Sequence, residues 1–373
     1  MSMDELLALA VKHRRALHRI PEVGFELPKT QAYVMNALRG TGAKIETLSP
    51  CGVLAYYDFG KKDTLALRAD MDALPIEEMS EVEYCSTHPG RMHACGHDAH
   101  MAMLLTVAGQ LRFLVPPTNI LLIFQPAEES GCGATVVIDS SALEKYNVKR
   151  IYACHVEPSV PSGVITTRPG AFMAMTSEVH VTVKGQSSHI ARPDRGVDAL
   201  MAAVRFVDRS KELIERKYAD VTHLYGYGRF VSGTANNIIS DETTLAGVLR
   251  SFDEAVFNAM LSDIRQVASD VTNEIGAAFS FRLSTVYPPV INDKDCYEEL
   301  TSLTGALPFR PLEKPWLIAE DFACYLKRVP GLMFQLGLNT PTPLHSREFR
   351  FDESALLNGI RMFLALASKT PAR

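Results

Sequence analysis

Apolar and polar residues alternate along the chain in two different ways, and the first predicts a layered α/β domain. Up to residue 169, and again after Pro288-Pro289, short apolar runs alternate with longer segments whose apolar residues recur at helical spacing. The run NILLIFQ at 119–125 is typical of a strand covered on both faces. This alternation predicts an α/β sandwich. Its expected strands cover 52–58, 64–68, 119–125, 150–155 and 331–337, and its expected helices cover 3–19, 29–38, 98–115, 352–368 and a helix that begins within 134–138.

Residues 170–285 follow a different pattern. The segment SEVHVTVK at 177–184 alternates polar and apolar residues, which predicts an antiparallel strand with one exposed face. The elements expected after it are a helix over 197–217, strands over 222–231 and 243–252, a helix over 253–275 and a strand over 281–287. This order is that of a ferredoxin-like fold. We therefore predict a discontinuous larger domain, residues 1–169 and 286–373, into which a small α+β domain of residues 170–285 is inserted.

Composition and charge narrow the classes of function. The 373 residues accommodate about two domains. A net charge of −5 without a long basic run argues against nucleic acid as a partner. Neither a signal peptide nor a run of about 18 uncharged apolar residues is apparent, so no secretion signal or transmembrane helix is expected. The seven cysteines are scattered, which fits a reducing compartment better than a disulfide framework. These features predict a cytoplasmic protein that binds no membrane.

Two segments contain most of the residues suited to chemistry. MHACGHDAH at 92–100 places Cys95 and His97 two positions apart, directly before a predicted helix. QPAEE at 125–129 places Glu128 and Glu129 directly after a predicted buried strand. A thiolate, an imidazole and a carboxylate are suitable ligands for a transition metal, and a second carboxylate can move protons. Because adjacent side chains on an extended backbone point in opposite directions, we expect one glutamate to face a metal and the other to face the substrate.

Each of these residues also has an ordinary structural explanation. A buried cysteine followed by a helix-capping histidine accounts equally well for the Cys95 and His97 pair, and adjacent glutamates are usually solvated. His155 and His345 each follow a predicted strand, where a single histidine is more often a hydrogen-bonded loop residue than a ligand. The argument for one site is that all of these loops follow predicted strands, since α/β sheets bind ligands at the carboxyl ends of their strands.

Taken together, these segments resemble the M20 metallopeptidase family in its amidohydrolase branch, which includes hippurate hydrolases, auxin-conjugate hydrolases and N-acetyldiaminopimelate deacetylases. The matching motifs occur in order over nearly the whole chain. They are His18 to Glu22 with Glu26, Arg68 to Pro75, Met92 to Asp98, Gln125 to Glu129, His155-Val156, His189 with Pro193, Asn237 to Ile239, Leu249 to Phe252, Ala319 to Phe322 and Leu344 to Ser346. The segment Lys29 to Tyr33 and the short length most resemble the N-acetyldiaminopimelate deacetylases.

The resemblance implies a zinc-peptidase-like α/β sandwich as the catalytic domain, with the inserted ferredoxin-like domain as a lid and dimerisation domain. It also implies a centre of two metal ions, and the ligands would be Cys95, His97, Glu129, His155 and His345. Glu128 would be the general base and acid. In the inserted domain, His189, Asn237 and Arg250 carry no functional signal of their own. The resemblance implies that His189 donates to the oxyanion in the partner subunit's site and that Asn237 and Arg250 lie near the substrate carboxylate.

The sequence departs from the wider family at three places. Peptidase relatives have a metal-binding histidine two residues before the position of Asp70, where this chain has Arg68, and that argues against a general aminopeptidase. The segment ESGCG at 129–133 stands where a Gly-rich run is more usual, and Asp194 stands where close relatives often have histidine. The last two departures lie near the expected substrate site and concern specificity rather than the type of reaction.

We therefore predict a metal-dependent amidohydrolase that hydrolyses N-acyl amino acids, with N-acetyl as the expected acyl group. The two metal ions would be zinc, nickel, cobalt or manganese, each of which can be bound by a set of imidazole, thiolate and carboxylate ligands. The expected partners are a small-molecule substrate and a second copy of the chain, in a homodimer or higher homo-oligomer. The alternatives are a dipeptidase of the same family and a non-catalytic ligand-binding relative. The presence of Glu128 beside a full set of ligands argues against the second alternative.

Overall fold

A computed structural model describes residues 1–370 and 372, apart from the side chain of Thr285. The chain forms two compact units. The first comprises Met1–Phe172, Ile291–Lys314 and Asp321–Arg373, and the second comprises Met173–Val290 and Pro315–Glu320. Among the described residues, no helix combines the length and the apolar character needed to span a membrane.

The strands and helices are numbered in chain order. The strands are β1 (Lys44–Thr47), β2 (Val53–Tyr57), β3 (Thr64–Asp70), β4 (Asn119–Gln125), β5 (Val148–Glu157), β6 (Ile165–Thr167), β7 (Gly170–Met173), β8 (Met175–Lys184), β9 (His223–Ser232), β10 (Glu242–Ser251), β11 (Ala278–Tyr287), β12 (Val290–Asn292), β13 (Phe309–Pro311) and β14 (Gly331–Gly337). The helices are α1 (Met3–His18), α2 (Pro28–Leu38), α3 (His97–Leu111), α4 (Glu128–Gly131), α5 (Ala134–Asp139), α6 (Ala142–Lys145), α7 (Ala199–Lys217), α8 (Glu254–Ile275), α9 (Lys294–Leu303), α10 (Ala323–Leu326) and α11 (Leu356–Ser368).

The first unit is built on a mixed sheet of eight strands in the order β1-β2-β4-β3-β5-β14-β6-β13. The central strands β4, β3, β5 and β14 run parallel to one another. Every residue of β3, β4 and β14 is buried, which is why their sequences read as nearly continuous apolar runs. The carboxyl ends of these four strands therefore lie along one edge of the sheet, where α/β proteins bind ligands.

Helices cover both faces of this sheet. On one face α1, α2 and α11 pack around α3, which contacts β3, β4 and β5. All residues of α3 except Gly109 are buried, so its sequence after His100 is mostly apolar on all sides rather than along one stripe. On the other face α10 packs against β14 and α6 against β5, with α5 in contact with both short helices. The first unit is thus an α/β sandwich whose central helix begins at His97.

The second unit is an antiparallel sheet in the order β11-β8-β10-β9, with α7 and α8 packed together against it. In β8 the residues alternate in burial, and Val179, Val181 and Val183 face the helices. The chain order is strand, helix, two strands, helix and strand, which is the ferredoxin-like order predicted from the sequence.

The structure differs from the sequence prediction in several elements of the first unit. The helix expected over 98–115 begins at His97 and ends at Leu111, and Phe113 and Val115 beyond it are exposed. Helix α9 was not predicted, although Asp293 precedes it and its side chain accepts a hydrogen bond from the amide of Cys296 at 2.9 Å. The three-residue strands β6, β12 and β13 were missed as well, because they are too short to show a periodicity.

The second unit differs in extent from the contiguous range 170–285. Its first segment is Met173–Val290, and a second segment, Pro315–Glu320, comes from later in the chain. That segment is held by a bridge between Met173 and Trp316 and by a hydrogen bond from the amide of Ala174 to the carbonyl of Ile318, at 2.8 Å. The assignment of the two units as a catalytic domain and a lid remains a prediction.

A buried cluster of charges connects α1 to α3. His18, at the end of α1, presents Nδ1 to Asp98 Oδ2 at 2.8 Å and Nε2 to Glu78 Oε1 at 3.1 Å. Both ring nitrogens face carboxylate oxygens, so both must donate, and the imidazolium form is favoured. Burial lowers the pKa of His18, but Asp98 and Glu78 outweigh this effect and raise the pKa to about 9. The fully buried Arg14 lies beside them and donates to Glu353 Oε1 at 2.8 Å.

This cluster predicts that the protein loses stability as the pH rises from about 6.5 to about 9. The pKa of His18 is higher in the folded protein than its ordinary value of 6.5, so its stabilisation is complete below 6.5 and is lost as the pH rises through about 9. A difference of this size corresponds to on the order of 3 kcal/mol in the free energy of unfolding. Urea denaturation at a series of pH values, followed by circular dichroism, measures it.

The variant His18→Gln isolates this contribution. It should be less stable than the parent at low pH and should lack most of the decrease between about 6.5 and 9. His223→Gln, on β9 of the second unit, is the matched control and should keep the parent's profile. Parallel pH profiles for the parent and His18→Gln would contradict the assignment.

Candidate metal centre

Four polar side chains form a row across the parallel strands at the edge where these strands end. Asp70 on β3 pairs with Gln125 on β4, and His155 on β5 pairs with Gln335 on β14. Arg68 pairs with Ala153, which aligns Asp70 with His155 two residues later. All four polar side chains are buried. Buried polar groups are costly unless they have partners, so this row marks the functional edge of the first unit.

The structure brings together the six residues predicted in the first unit. Their potential ligand atoms form three overlapping groups, and within each group the atoms lie within 4.8 Å of one another. The groups are Cys95 with His97 and His155, Cys95 with Glu129 and His345, and His97 with Glu128 and Glu129. Four loops that are distant in sequence therefore converge on one small volume, as the sequence argument required.

His97 and His155 are oriented in the same way. Nδ1 of His97 donates to the backbone carbonyl of Asp72 at 2.8 Å, and Nδ1 of His155 donates to the carbonyl of Val156 at 2.7 Å. In the neutral form of each ring, the lone pair then lies on the other nitrogen, Nε2. Nε2 of His155 lies 3.5 Å from Cys95 Sγ. A backbone acceptor at one ring nitrogen is the arrangement that orients histidine as a metal ligand through the other.

Glu128 and Glu129 do not lie on an extended backbone, contrary to the expectation from sequence. They begin the short helix α4, because Ala127 adopts a left-handed conformation with φ 50° and turns the chain as it leaves β4. The Asp72 carboxylate stabilises this turn of the backbone. Its two oxygens accept the amides of Glu128 at 3.0 Å and Glu129 at 3.1 Å. The two side chains consequently share one side of the turn, and both approach His97.

The electrostatics of the cluster favour a bound cation. Burial raises the pKa of the Cys95 thiol, and so do the nearby carboxylates of Glu129 and Glu128. A thiolate at this position therefore needs a compensating positive charge. Burial also lowers the pKa of His97, but Asp70, Asp72 and Glu129 outweigh it and raise the pKa to about 10. The carboxylates thus draw positive charge to the place where Nε2 of His97 points.

Buried polar atoms without hydrogen-bond partners also indicate that the cluster binds a cation. Oε1 of Glu129 lies 3.3 Å from Nε2 of His345 and 3.9 Å from Nε2 of His97. Within the described part of the chain, neither Oε1 of Glu129 nor Nε2 of His97 has a hydrogen-bond partner, although both atoms are buried. Buried atoms of this kind normally have partners. Lone pairs of carboxylate, imidazole and thiolate that converge without bonding to one another fit the coordination sphere of a transition metal.

His100 lies close to the cluster but is excluded as a ligand by its hydrogen bonds. Its Nδ1 donates to Asp70 Oδ1 at 2.6 Å, and its Nε2 accepts the amide of Val156 at 2.9 Å. Burial lowers the pKa of His100 to about 4, although Asp70 opposes this. His100 is therefore neutral, and both of its nitrogens are occupied.

Sequence reasoning missed two residues of this centre. Asp72 fixes α4 and His97 through its carboxylate and its carbonyl, and its position inside the motif RADMDALP was the available signal. Gln335 is buried beside His155, and neither its Nε2 nor its Oε1 has a hydrogen-bond partner among the described residues. Nothing in the sequence distinguishes Gln335, because it stands within the apolar strand GLMFQLG.

The remaining predicted residues lie in the second unit. The backbone of His189 pairs with that of Ile238, so the loops of His189 and Asn237 run side by side. Both side chains are exposed. Nδ1 of His189 accepts the amide of Ala191 at 3.1 Å, which puts the proton of the neutral ring on the exposed Nε2. Arg250, on β10, donates through Nη1 to the carbonyl of Leu317.

Comparison with known proteins identifies the family of the chain. Residues 66–369 match Peptidase family M20/M25/M40. The chain belongs to this family. The family predicted from the sequence motifs is confirmed, as are the α/β fold class and the reaction class, hydrolysis of amides.

Two curated M20 relatives extend over nearly the whole chain. The N-acetyldiaminopimelate deacetylase of Enterococcus faecalis is 34% identical over 96% of this chain and 96% of its own length. That of Streptococcus uberis is 34% identical over 97% of this chain and 98% of its own. Both names describe hydrolysis of an N-acetyl amide in an amino acid.

Two solved structures are similar to this fold. The Bacillus subtilis YXEP protein, described as a dinuclear metal binding peptidase from the M20 family, has a TM-score of 0.86 and 27% identity over 98% of both chains. The aminopeptidase PepT from Bacillus cereus, with a TM-score of 0.75 and 15% identity over 97% of this chain and 98% of its own, shares the fold.

The geometry around Asp72 predicts a measurable effect on the α4 turn. Asp72→Ala leaves the amides of Glu128 and Glu129 without their acceptor, and buried hydrogen bonds to a charged group contribute about 1.5–3 kcal/mol each. We expect the free energy of unfolding to fall by about 2–5 kcal/mol. We also expect faster amide hydrogen exchange in peptides that cover 126–131. The exposed Asp139 offers a control, since Asp139→Ala should change neither quantity. Unchanged exchange in Asp72→Ala would mean that other contacts fix the turn.

Proposed function

We propose that this chain is a two-metal amidohydrolase that hydrolyses N-acyl amino acids, with Glu128 as the general base and acid. The observation that carries the proposal is the convergence of Glu128 with five potential ligands in three overlapping groups, each spanning no more than 4.8 Å. The proposed ligands are Cys95, His97, Glu129, His155 and His345. The description of the YXEP protein as a dinuclear metal binding peptidase supports a pair of ions. The ligand types suit zinc, nickel, cobalt or manganese.

The metal ions, when bound, would act as Lewis acids and lower the pKa of a water molecule towards about 7. The chain itself would move the proton. Glu128 is 8% exposed and stands beside His97 and Glu129, where it can accept a proton from the attacking water. It would return that proton to the nitrogen of the leaving amine. The Asp72 carboxylate would keep Glu128 in place by accepting its backbone amide.

The second unit would bind the substrate. His189 has the tautomer required of a hydrogen-bond donor, since its Nδ1 accepts a backbone amide and its exposed Nε2 carries the proton. We assign it to the developing oxyanion. Arg250 would pair with the substrate carboxylate through its planar guanidinium, and Asn237 would lie nearby as a polar contact.

The acyl group and the amino acid are proposed from the relatives. Two relatives at 34% identity are named N-acetyldiaminopimelate deacetylase, so N-acetyldiaminopimelate and other N-acetyl amino acids are the first substrates to assay. A dipeptidase is the second candidate. Arg68 argues against a general aminopeptidase, because it donates to Asp70, Asp321 and Gln125 at 2.7–3.0 Å and cannot bind a metal. Turnover of dipeptides without turnover of N-acetyl amino acids would favour the dipeptidase.

We also propose a homodimer formed through the second unit, in the cytoplasm. Strand β9 is one of the two edge strands of its sheet, and Phe230 and Val231 on this strand are 40% and 48% exposed. On α7, Leu200, Met201 and Val204 are 40–46% exposed. An edge strand beside exposed apolar side chains is a surface that proteins normally cover. The absence of disulfides among the seven cysteines is consistent with a reducing compartment.

The role of Glu128 is tested by Glu128→Gln. The amide keeps the shape but cannot accept the proton, so kcat for N-acetyl amino acids should fall by about 10²–10⁴-fold. The metal content should stay unchanged because the proposed ligands are intact. The exposed Glu144 provides a control, and Glu144→Gln should keep the parent's activity. Activity of Glu128→Gln within twofold of the parent would remove Glu128 from this role.

Cys95→Ser, unlike Glu128→Gln, is predicted to lose metal. A hydroxyl is a much poorer ligand than a thiolate for these ions, so we expect metal affinity to fall at least about tenfold. Elemental analysis after dialysis measures the retained metal. Cys85→Ser, a half-buried cysteine outside the cluster, should retain the parent's metal content. Equal metal content in Cys95→Ser and the parent would leave Cys95 with a packing role only.

The dimer predicts complementation between two inactive variants. If His189 acts in the partner subunit's site, a heterodimer of Glu128→Gln and His189→Ala contains one site with both defects and one site with neither. Mixing the two variants should restore up to about half of the activity of the parent per heterodimer. Mixing Glu128→Gln with the double variant Glu128→Gln/His189→Ala is the control and should restore none. Heterodimers verified by native mass spectrometry but without activity would rule out the cross-subunit role.

A further inference from the structure

Two cysteine thiols meet beside the proposed metal centre. Cys132 directly follows the α4 turn, which carries Glu128 and Glu129, and Cys324 lies in α10. Their Sγ atoms are 3.6 Å apart, although the residues are 192 positions apart in the chain. Neither is in a disulfide, and both are half-buried, so that a small solute can reach them. This thiol pair has no part in the proposed hydrolysis.

The backbone around the thiol pair is already held in place by other contacts. Oδ2 of Asp321 accepts the amide of Ala134 at 3.0 Å, two residues after Cys132. The carbonyl of Asp321 accepts the amide of Cys324 at 2.9 Å. Asp321 is itself bound by Arg68 and Gln125. The two sulfur atoms are therefore presented to each other by a rigid framework, and an approach of about 1.5 Å would bring them to the length of a disulfide bond.

We propose that Cys132 and Cys324 form a reversible disulfide when the protein meets hydrogen peroxide or an organic hydroperoxide, and that this modification slows hydrolysis. In the first step Sγ of Cys132, as thiolate, attacks one peroxide oxygen. The O–O bond breaks, a sulfenic acid forms, and the leaving hydroxide takes up a proton to give water. In the second step Sγ of Cys324 attacks the sulfur of Cys132 and releases a second molecule of water. Two thiols are oxidised to one disulfide, and one hydrogen peroxide is reduced to two waters. With an organic hydroperoxide the leaving group of the first step is an alkoxide, which takes up the proton, so the products are one alcohol and one water.

The environments of the other cysteines favour this pair. Contact with Cys324 lowers the pKa of the Cys132 thiol, although burial opposes it. Cys51 and Cys296 are buried, and burial raises the pKa of each to about 11. Cys85 is as accessible as the pair, and its Sγ lies near the carbonyls of Ser80 and Val82 at 3.0 and 2.7 Å. Cys132 is therefore the cysteine with both access and a neighbouring thiol to complete the reaction.

The α4 turn would transmit the modification to Glu128. The carbonyl of Ala127 accepts the amides of both Gly131 and Gly133 at 3.1 Å, so the chain from Ala127 to Gly133 closes on itself. A displacement of Cys132 by about 1 Å then moves the whole turn, and misplacement on that scale costs up to about 10²-fold in rate. This part of the inference rests on the proposed function of Glu128, whereas formation of the disulfide does not.

The disulfide itself is tested by mass spectrometry. Metal-loaded protein is treated with hydrogen peroxide, the remaining thiols are alkylated, and the digest is analysed. We expect a cross-linked pair of peptides that contain Cys132 and Cys324, two hydrogens lighter than the reduced pair, which disappears after dithiothreitol. Cys132→Ser and Cys324→Ser should each abolish the cross-link, and Cys85→Ser is the matched control that should keep it. Oxidation of Cys85 without any cross-link in the same sample would overturn the proposal.

The effect on hydrolysis is measured on the same samples, together with their metal content. The parent should lose at least about tenfold in kcat after peroxide and regain it with dithiothreitol, with metal content unchanged. Cys324→Ser should start at the parent's kcat and keep it. An equal loss in Cys324→Ser, or a loss that follows metal release, would assign the inactivation to Cys95 and overturn the regulatory role. Absence of hydrolysis in untreated parent would contradict the proposed function and leave the cross-link result standing.

Discussion

The carboxylate of Asp72 is the constraint on which the metal centre depends. Its two oxygens accept the amides of Glu128 and Glu129, while its backbone carbonyl accepts Nδ1 of His97. One residue thereby fixes the end of β4 and the start of α3 relative to the end of β3. The side chain is fully buried, and a buried carboxylate is tolerated only when it is hydrogen-bonded. Asp72 meets this condition by taking the amides that leave β4, so the turn and the anion stabilise each other.

Two buried arginines compensate further buried carboxylates in the first unit. Arg68 joins Asp70 to Asp321, and Arg14 lies between Asp98 and Glu353. Replacing such pairs with apolar residues is often neutral for stability, whereas removal of one partner leaves an uncompensated charge. In this protein we assign these ion pairs to the positioning of other residues of the first unit. Asp70 orients His100 below the centre, and Asp98 fixes the first turn of α3 through His18. The helix that carries His97 is thus held by a hydrogen bond to Asp70 and by ion pairs at Asp98.

Much of this arrangement could be predicted from the sequence, because the pattern of apolar residues reflects the burial of each element. NILLIFQ is a buried strand because both faces of β4 are covered, and MHACGHDAH brings a thiol and an imidazole to the start of a buried helix. The path of Glu128 and Glu129 could not be predicted, because it depends on a left-handed alanine and a carboxylate 56 residues earlier. The end of α3 was placed too late because Pro116-Pro117 suggested the stop, whereas the apolar environment of the helix already ends at Leu111. Gln335 is apparent only once β14 is paired with β5.

The compactness of the segment Ala127 to Gly133 restricts where it can carry a side chain, and Cys132 occupies one of the positions that remain. A Cβ on Gly131 would lie 2.6 Å from the ring of Phe25, and a Cβ on Gly133 would lie 1.6 Å from the carbonyl oxygen of Pro126. A side chain at Gly133 would move the turn and, with it, Glu128, and a side chain at Gly131 would have to displace the ring of Phe25. Position 132 lies between them and points towards α10, where Cys324 meets it. The thiol at this position therefore sits between two crowded glycines, faces Cys324, and is connected to Glu128 through the hydrogen bonds of the turn.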